Sequence, residues 1–432
     1  MPTFGGYGTC LLSNLPVQSY DICSKNECSI EEQEAMPINF QQVYARIREI
    51  AAGADESKRT LEEKRDLARK LLATYNSELD YLKRKVEEAK AVDSNIRCAV
   101  PLNEPLTSTY PPPPPTVDVT VIAADGSQIN PDRHSSIQFS IINVGIIVMK
   151  LHSGQAPEVC VETEMLYGDD LISNGNPISD GMVAMRRDIS ERLQLDEVSK
   201  GITGQVVNLT DGTIELWGAK GDDPQAYADF VEKYLRVLTR MHARGVITSG
   251  YVEKPSADLV VRLLEIATAD QEQIQRLREY QPLRGVSDRW LYGEREKPLL
   301  PPGHRSAVFA LQSGSVKKYK GPLALHFFYL NVGTLGHPWP VRVEVPQWVA
   351  VDKKKLELLH SVLIEQCNVM GSKPYPYLLH RAHETAVVRR EEKEQVEQLL
   401  AMELRRVRAE IGDRSHKDSA KALPGRSNKK NR

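Results

Sequence analysis

Between Met36 and Ile50 the chain reads MPINFQQVYARIREI, with Phe40, Val43, Tyr44, Ile47 and Ile50 recurring at spacings of three and four. Asn39 stands just before the first of them, where a helix cap belongs. The pattern predicts an amphipathic helix from about residue 40. From about 56 to 97 the helical period continues on a highly charged background. There Leu72, Tyr75, Leu79, Leu82 and Val86 alternate steps of three and four, as a heptad seam does. Such a seam suits a projecting or dimerising hairpin, or a helix packed on its own domain. The run YPPPPP, Tyr110–Pro115, then stiffens the backbone as a polyproline spacer.

Beyond the spacer the period changes from helix to strand. Strand-like runs fall at about 117–124, 137–150 and 157–165, followed by a helix at 182–200 and a strand at 205–213. Helices near 223–243 and 255–280 enclose a short strand at 246–251. A second β-rich region contains LALHFFYLNVG and PVRVEVP, and helices at 353–369 and 378–410 close the pattern. Interleaved strands and helices predict an α/β mixed sheet flanked by helices. The Pro-, Arg- and Trp-bearing stretch at 285–320 reads as a wall or lid over a substrate path, or as a plain loop. Residues 1–35 show no period and read as a disordered or mis-assigned extension, with Met36 as the functional start. Residues 411–432 read as a basic disordered tail.

A chain of 432 residues with 41% hydrophobic content can build one large domain or two ordinary ones. The net charge of −2 excludes a histone-like protein but leaves room for a local basic groove. No apolar stretch approaches the ~20 residues of a membrane helix. The start lacks a signal-peptide pattern, so a cytoplasmic protein is expected. The six cysteines lack metal spacing, which argues against structural zinc and a disulfide framework.

Two apolar runs, VTVIAADGS and GQVVNLTDGT, each end in Asp-Gly followed by a hydroxyl residue. Either copy alone is ordinary turn chemistry. Two copies favour strands that deliver Asp125 and Asp211 to a shared metal. Between them, MRRDISERL sets Arg187 and Glu191 on one helical face. Glu191 is a third acidic candidate or half of a surface ion pair, and Asp188 and Glu197 compete with it. Near the C-terminus, PYPYLLHRAHETAVV offers Tyr375 and His383, with His380 as the rival histidine. Carboxylates that hold divalent cations, beside a proton carrier active near neutral pH, suit phosphodiester hydrolysis.

The set ADGS, RRDISERL, LTDGT, GYVEKP and YPYLLHRAH resembles the NurA family of DNA-repair nucleases over about residues 118–392. The resemblance implies an RNase H-like nuclease domain over 116–410, preceded by a helical coiled-coil arm over 36–110. It implies Mn2+ (or Mg2+) as cofactor, and a homodimer that docks on a HerA-type hexameric ATPase. It further implies DNA end resection by 5′-to-3′ exonuclease and single-strand endonuclease activity. Asp125 and Asp211 match the family's metal carboxylates, Glu191 the helix-borne acid, and Tyr375 and His383 its C-terminal Tyr and His. Arg133, Arg187, Lys254 and Arg342 are candidate DNA contacts. Two other classes remain: an actin-like phosphate-binding ATPase, and a non-catalytic DNA-binding adaptor.

Overall fold

The computed structural model describes residues 38–115, 118–218, 221, 223–294 and 296–407. The expected extension over 1–35 and tail over 411–432 lie outside these residues. The chain divides into two compact units, Met1–Ser57 and Lys58–Arg432.

In the first unit the expected helix is α1 (Phe40–Ala52), and the Asn39 side chain accepts from the Gln42 amide as its cap. In the second, α2 (Ala54–Thr74, most of it in this unit) precedes α3 (Leu79–Val92). Leu72, Leu82 and Val86 are buried in the main core, with Tyr75 and Leu79 packed against it. Tyr81 and Lys85 donate to the carbonyls of Ala267 and Ala269, at 2.9 and 2.7 Å. The stripe that reads as a heptad seam is therefore covered by the domain itself. Among the described residues it builds no separate coiled-coil arm.

The strands begin with β1 (Cys98–Pro101) and β2 (Thr109–Tyr110). An antiparallel meander follows: β3 (Val119–Ile129), β4 (Phe139–Lys150) and β5 (Glu158–Tyr167). The β6–β7 ribbon (Ile172–Ser173, Asn176–Pro177) leads to α4 (Asp180–Ser199), β8 (Gln205–Asp211), α5 (Pro224–Ala243) and β9 (Ile247–Val252). Next come α6 (Leu259–Thr268), α7 (Gln271–Gln275), α8 (Asp288–Tyr292), β10 (Arg305–Ser306), β11 (Phe309–Gln312), β12 (Leu325–Asn331) and β13 (Pro340–Pro346). Helices α9 (Gln347–Ala350), α10 (Lys353–Val369), α11 (Tyr377–Ala386) and α12 (Arg390–Arg406) complete the domain.

Among the described residues, eleven strands join in one mixed sheet, with main order β1-β11-β12-β13-β9-β8-β3-β4-β5. The pairs β3–β8 and β8–β9 are parallel. Three antiparallel strands followed by two parallel ones give the RNase H-like half of the sheet. Burial on both faces explains the unbroken apolar runs in β3 and β4. On one face α4 packs at Gly126, where an added Cβ would lie 2.6 Å from Arg187 Cγ. On the other α11 packs at Gly145, where it would lie 2.5 Å from the Ala382 carbonyl oxygen.

The stretch at 285–320 is neither lid nor plain loop where it carries α8. Asp288 is fully buried and accepts from the Val260 and Val261 amides, both at 2.8 Å, at the start of α6. It also accepts from the Tyr329 hydroxyl at 2.6 Å. Burial pushes its carboxyl up to about 6. Trp290 lies beneath the guanidinium groups of Arg65 and Arg69. This segment braces α2 and α6 against the sheet.

Candidate active site

The parallel ladder between β3 and β8 stops at Ala124 and Thr210. Asp125 and Asp211 are the next residues on each strand, so they stand side by side where two parallel strands part. Crevices at the carboxyl ends of parallel strands are the usual binding places of α/β sheets. Asp211 ends β8 as the sequence predicts. Asp125 does not end its strand: β3 continues paired with β4 to Ile129. No turn forms at Asp125–Gly126, because the antiparallel pairing with β4 carries on through both residues.

Strand alternation then explains the rest of the ADGS motif. Asp125 and Ser127 share the face against α11, and Gly126 points to α4. His383 lies on α11, and its Nδ1 is 2.7 Å from Asp125 Oδ2. The carbonyl of Ala386, at the end of the same helix, accepts from Ser127 Oγ at 2.5 Å and Asn143 Nδ2 at 2.8 Å. These bonds satisfy a helix-terminal carbonyl that has no partner within its own helix. The strand that carries Asp125 thereby fixes the helix that carries His383. His380 points elsewhere and meets Glu384.

Glu191 reaches the same cleft from α4, where it is buried and lies 3.6 Å from Arg187. Arg187 binds Asp188 more closely, at 2.7 Å. The next residue, Arg192, is buried and donates to Thr248 Oγ1 at 2.8 Å and to Thr210 Oγ1, tying α4 to the strands. Glu197 pairs with Lys200 on the exposed end of α4. Tyr375 acts electrostatically on Asp211 and packs edge-on against Tyr251, with ring centroids 5.5 Å apart. Asp125, Asp188, Glu191, Asp211 and His383 line one cavity of about 410 Å3, together with Glu215 and Trp217.

The electrostatics of the cleft are those of acids held too close together. Burial raises Glu191 well above the usual carboxylate range, and Asp188 and Asp125 push it further. Burial also raises Asp188, against the pull of Arg187. Asp211 is raised by burial and by Asp125, partly offset by the Gly212 amide and the Tyr375 hydroxyl. Each of these groups binds its proton more tightly folded than unfolded. The share of stability these three groups contribute is therefore fully present below the ordinary carboxylate range and is lost as pH rises toward the raised values. In the metal-free protein that share should decline as pH climbs above about 4. Glu191→Gln should flatten that decline. An identical pH profile for the variant, measured by calorimetry, would show that Glu191 is not under this tension.

A divalent cation would relieve the same repulsion. Carboxylate oxygens with one imidazole are suitable donors for Mg2+ or Mn2+. In charge and donor chemistry the residues fit such an ion. As the side chains stand, no three His, Cys, Asp or Glu among the described residues form a ready ligand group.

Several groups escape sequence reasoning. Glu253 raises both Asp211 and Tyr375; it stands inside the GYVEKP stretch, one residue beyond β9, but nothing in that stretch singles out its carboxylate. Glu215 and Trp217 carry no motif at all. Of the candidate DNA contacts, Arg342 is buried against Glu344 at 2.9 Å. Arg133 and Lys254 are exposed, and Arg187 belongs to the acidic cluster.

The family model of the NurA domain matches residues 119–388, well over half of the chain. The chain belongs to the NurA domain family. The matched NurA domain runs from the first residue of β3 to just past α11, and so contains every residue of the cleft named above. Comparison with curated proteins gives no match. Among solved structures, the chain is similar to the NurA nuclease from Sulfolobus solfataricus, at 13% identity and a TM-score of 0.45. That alignment covers 85% of this chain and 98% of that one. It is also similar to the catalytic domain of human Endonuclease V, at 15% identity, 75% and 97% coverage and a TM-score of 0.28. A third likeness is to Drosophila Piwi, at 12% identity, 63% and 30% coverage and a TM-score of 0.28. Among the described residues, no helix is long and apolar enough to cross a membrane.

Proposed function

We propose that this NurA-family protein is a metal-dependent deoxyribonuclease that hydrolyses phosphodiester bonds in the cleft between β3 and β8. The observation that carries the reading is the convergence of Asp125, Asp211 and Glu191 from three separate elements into one cavity. Acids so placed, with carboxyls raised by burial and mutual repulsion, are suited to share positive charge. Asp125, Asp211, Glu191 and His383 would hold Mn2+ or Mg2+, which would supply Lewis-acid polarisation of a phosphoryl oxygen and a nucleophilic water at neutral pH.

The protein's own groups set up this chemistry. Tyr375 lowers the Asp211 carboxyl against the push of burial and of Asp125, and the Gly212 amide donates to Asp211 Oδ1. Asp125 accepts from His383 Nδ1 and so orients the imidazole, whose one remaining nitrogen would either coordinate the ion or carry a proton. Arg187 and Arg192 offset part of the acidic charge. Family membership supports a finer reading. The enzyme acts as a homodimer on DNA ends, as a 5′-to-3′ exonuclease and single-strand endonuclease, in resection beside a HerA-type hexameric ATPase.

Labelled single- and double-stranded oligonucleotides, incubated with the full-length protein and no ATP, test the core of this proposal. Cleavage should require Mn2+ or Mg2+ and stop with EDTA. Cleavage that persists in EDTA, or none with any divalent ion, would reject it.

A further inference from the structure

Trp217 is an anomaly in its own segment. Ile214, Glu215 and Leu216 before it are buried, yet the Trp217 side chain is 49% exposed. The segment is fastened from several sides. The Ile214 amide donates to Glu344 Oε2 at 3.0 Å, and the Tyr234 hydroxyl donates to the Ile214 carbonyl at 2.8 Å. The Leu216 amide donates to the Tyr319 hydroxyl at 2.9 Å. Gly218, with φ of 151°, lies so close to Met185 that a Cβ there would be 2.2 Å from its Cγ. The backbone on both sides of the indole is thus held by buried groups. The ring itself is backed by the Arg97 guanidinium, 4.8 Å from its centroid, and Arg97 is anchored in turn on Glu215.

A large, rigidly mounted, half-exposed indole is costly to leave in water. This one lines the same cavity as Asp125, Asp211, Glu191 and His383. Beside it runs the loop SVKKYK, tied down by Ser315 on Glu215 and by Tyr319 on Leu216. Its Lys317, Lys318 and Lys320 are exposed. An acidic centre therefore has a rim that joins an aromatic platform to clustered cations. That combination is how proteins grip unpaired nucleic-acid strands without reading sequence: bases stack on the ring, and lysines follow the phosphates. A base within a duplex has both faces covered and cannot use such a platform.

We propose that Trp217 is a base-stacking residue that seats single-stranded DNA next to the carboxylate cleft, with the Lys317–Lys320 loop along its backbone. The inference rests on the nuclease reading for the identity of the cleft, and it adds the residues that hold an unpaired strand there. Trp217 acts on binding and positioning and does not touch the scissile bond.

The test is binding without cleavage. Full-length protein in EDTA is titrated into a fluorescently labelled oligothymidylate, and into the same oligonucleotide with abasic sites throughout. Trp217→Ala should bind the intact strand roughly 10-fold more weakly than the unaltered protein, the loss expected for one stacked base. Trp217→Phe, which keeps a ring, should recover most of that affinity. The abasic strand should bind all three proteins alike. Equal binding of the intact strand by Trp217→Ala and the unaltered protein would overturn the proposal. So would an equal loss on both strands, which would mark a disturbed fold. If the unaltered protein binds neither strand, the stacking proposal falls, while the nuclease reading is still decided by cleavage in Mn2+ or Mg2+. Trp217-dependent binding without cleavage in any divalent ion would sink the nuclease reading alone.

Discussion

Asp125→Asn should lower metal-dependent cleavage by roughly 10^3-fold or more, the cost of losing several kcal/mol of transition-state charge stabilisation. The same substitution should raise the melting temperature of the metal-free protein. Both effects have one cause. The charge of Asp125 raises the carboxyls of Asp188, Glu191 and Asp211 at once. Removing it relieves three repulsions and takes away a proposed metal ligand. Asparagine still offers an oxygen to His383 Nδ1, so the imidazole keeps its orientation and the loss reports on charge. Mn2+ should stabilise the unaltered protein by mass action and leave the variant unmoved. Single-turnover cleavage and thermal melts with and without Mn2+ measure both. Full activity, or a melting temperature several degrees lower, would remove Asp125 from the centre of the site.

Gly145→Ala is expected to damage the fold and the site in one step. A Cβ there would lie 2.5 Å from the Ala382 carbonyl, 2.8 Å from the Ala386 amide and 2.9 Å from Thr385 Cβ. Two of these are helix backbone atoms, which cannot swing aside as a side chain can. Helix α11 would have to lift from β4, drawing Ala386 away from Ser127 and Asn143 and His383 away from Asp125. Overpacking of this kind costs about 1–3 kcal/mol. Displacing a reacting group by ~1 Å costs as much as 10^2-fold in rate. Melting temperature and cleavage should therefore fall together. Gly201→Ala is the control: nothing lies within 4 Å of its added Cβ, and both properties should be unchanged. A silent Gly145→Ala would mean that α11 is not seated on β4 as described.

Much of this was legible in residue order, and the failures have physical reasons. Periodicity placed α1, α4, α5 and α10, and the run from Gln205 placed β8. The two Asp-Gly copies and the YPYLLHRAH stretch pointed to residues that do meet. Periodicity also found the 72–86 stripe, but an apolar stripe does not say what will cover it, and here α3 turns it onto its own core. The expected helix at 378–410 is two helices, α11 and α12. Neither proline nor glycine marks the break at Val387. It is made by Ser127 and Asn143, more than 240 positions away, capturing the Ala386 carbonyl. The continuation of β3 through Asp125 had the same origin, since only a paired neighbour can overrule a local turn signal. Trp217 was invisible because nothing in a sequence distinguishes a surface indole from a mounted one.

Asp125 and Ser127 do different work from one side of a single strand, with Gly126 between them facing the opposite helix. Their shared orientation depends on register, which a one-residue insertion or deletion in the first half of β3 would shift. The carboxylate would then turn toward α4, and α11 would lose its latch in the same event. Length variation among relatives should accordingly be purged from the stretch before Asp125. It should collect instead in the exposed 152–156 turn between β4 and β5, where an added residue reaches only solvent.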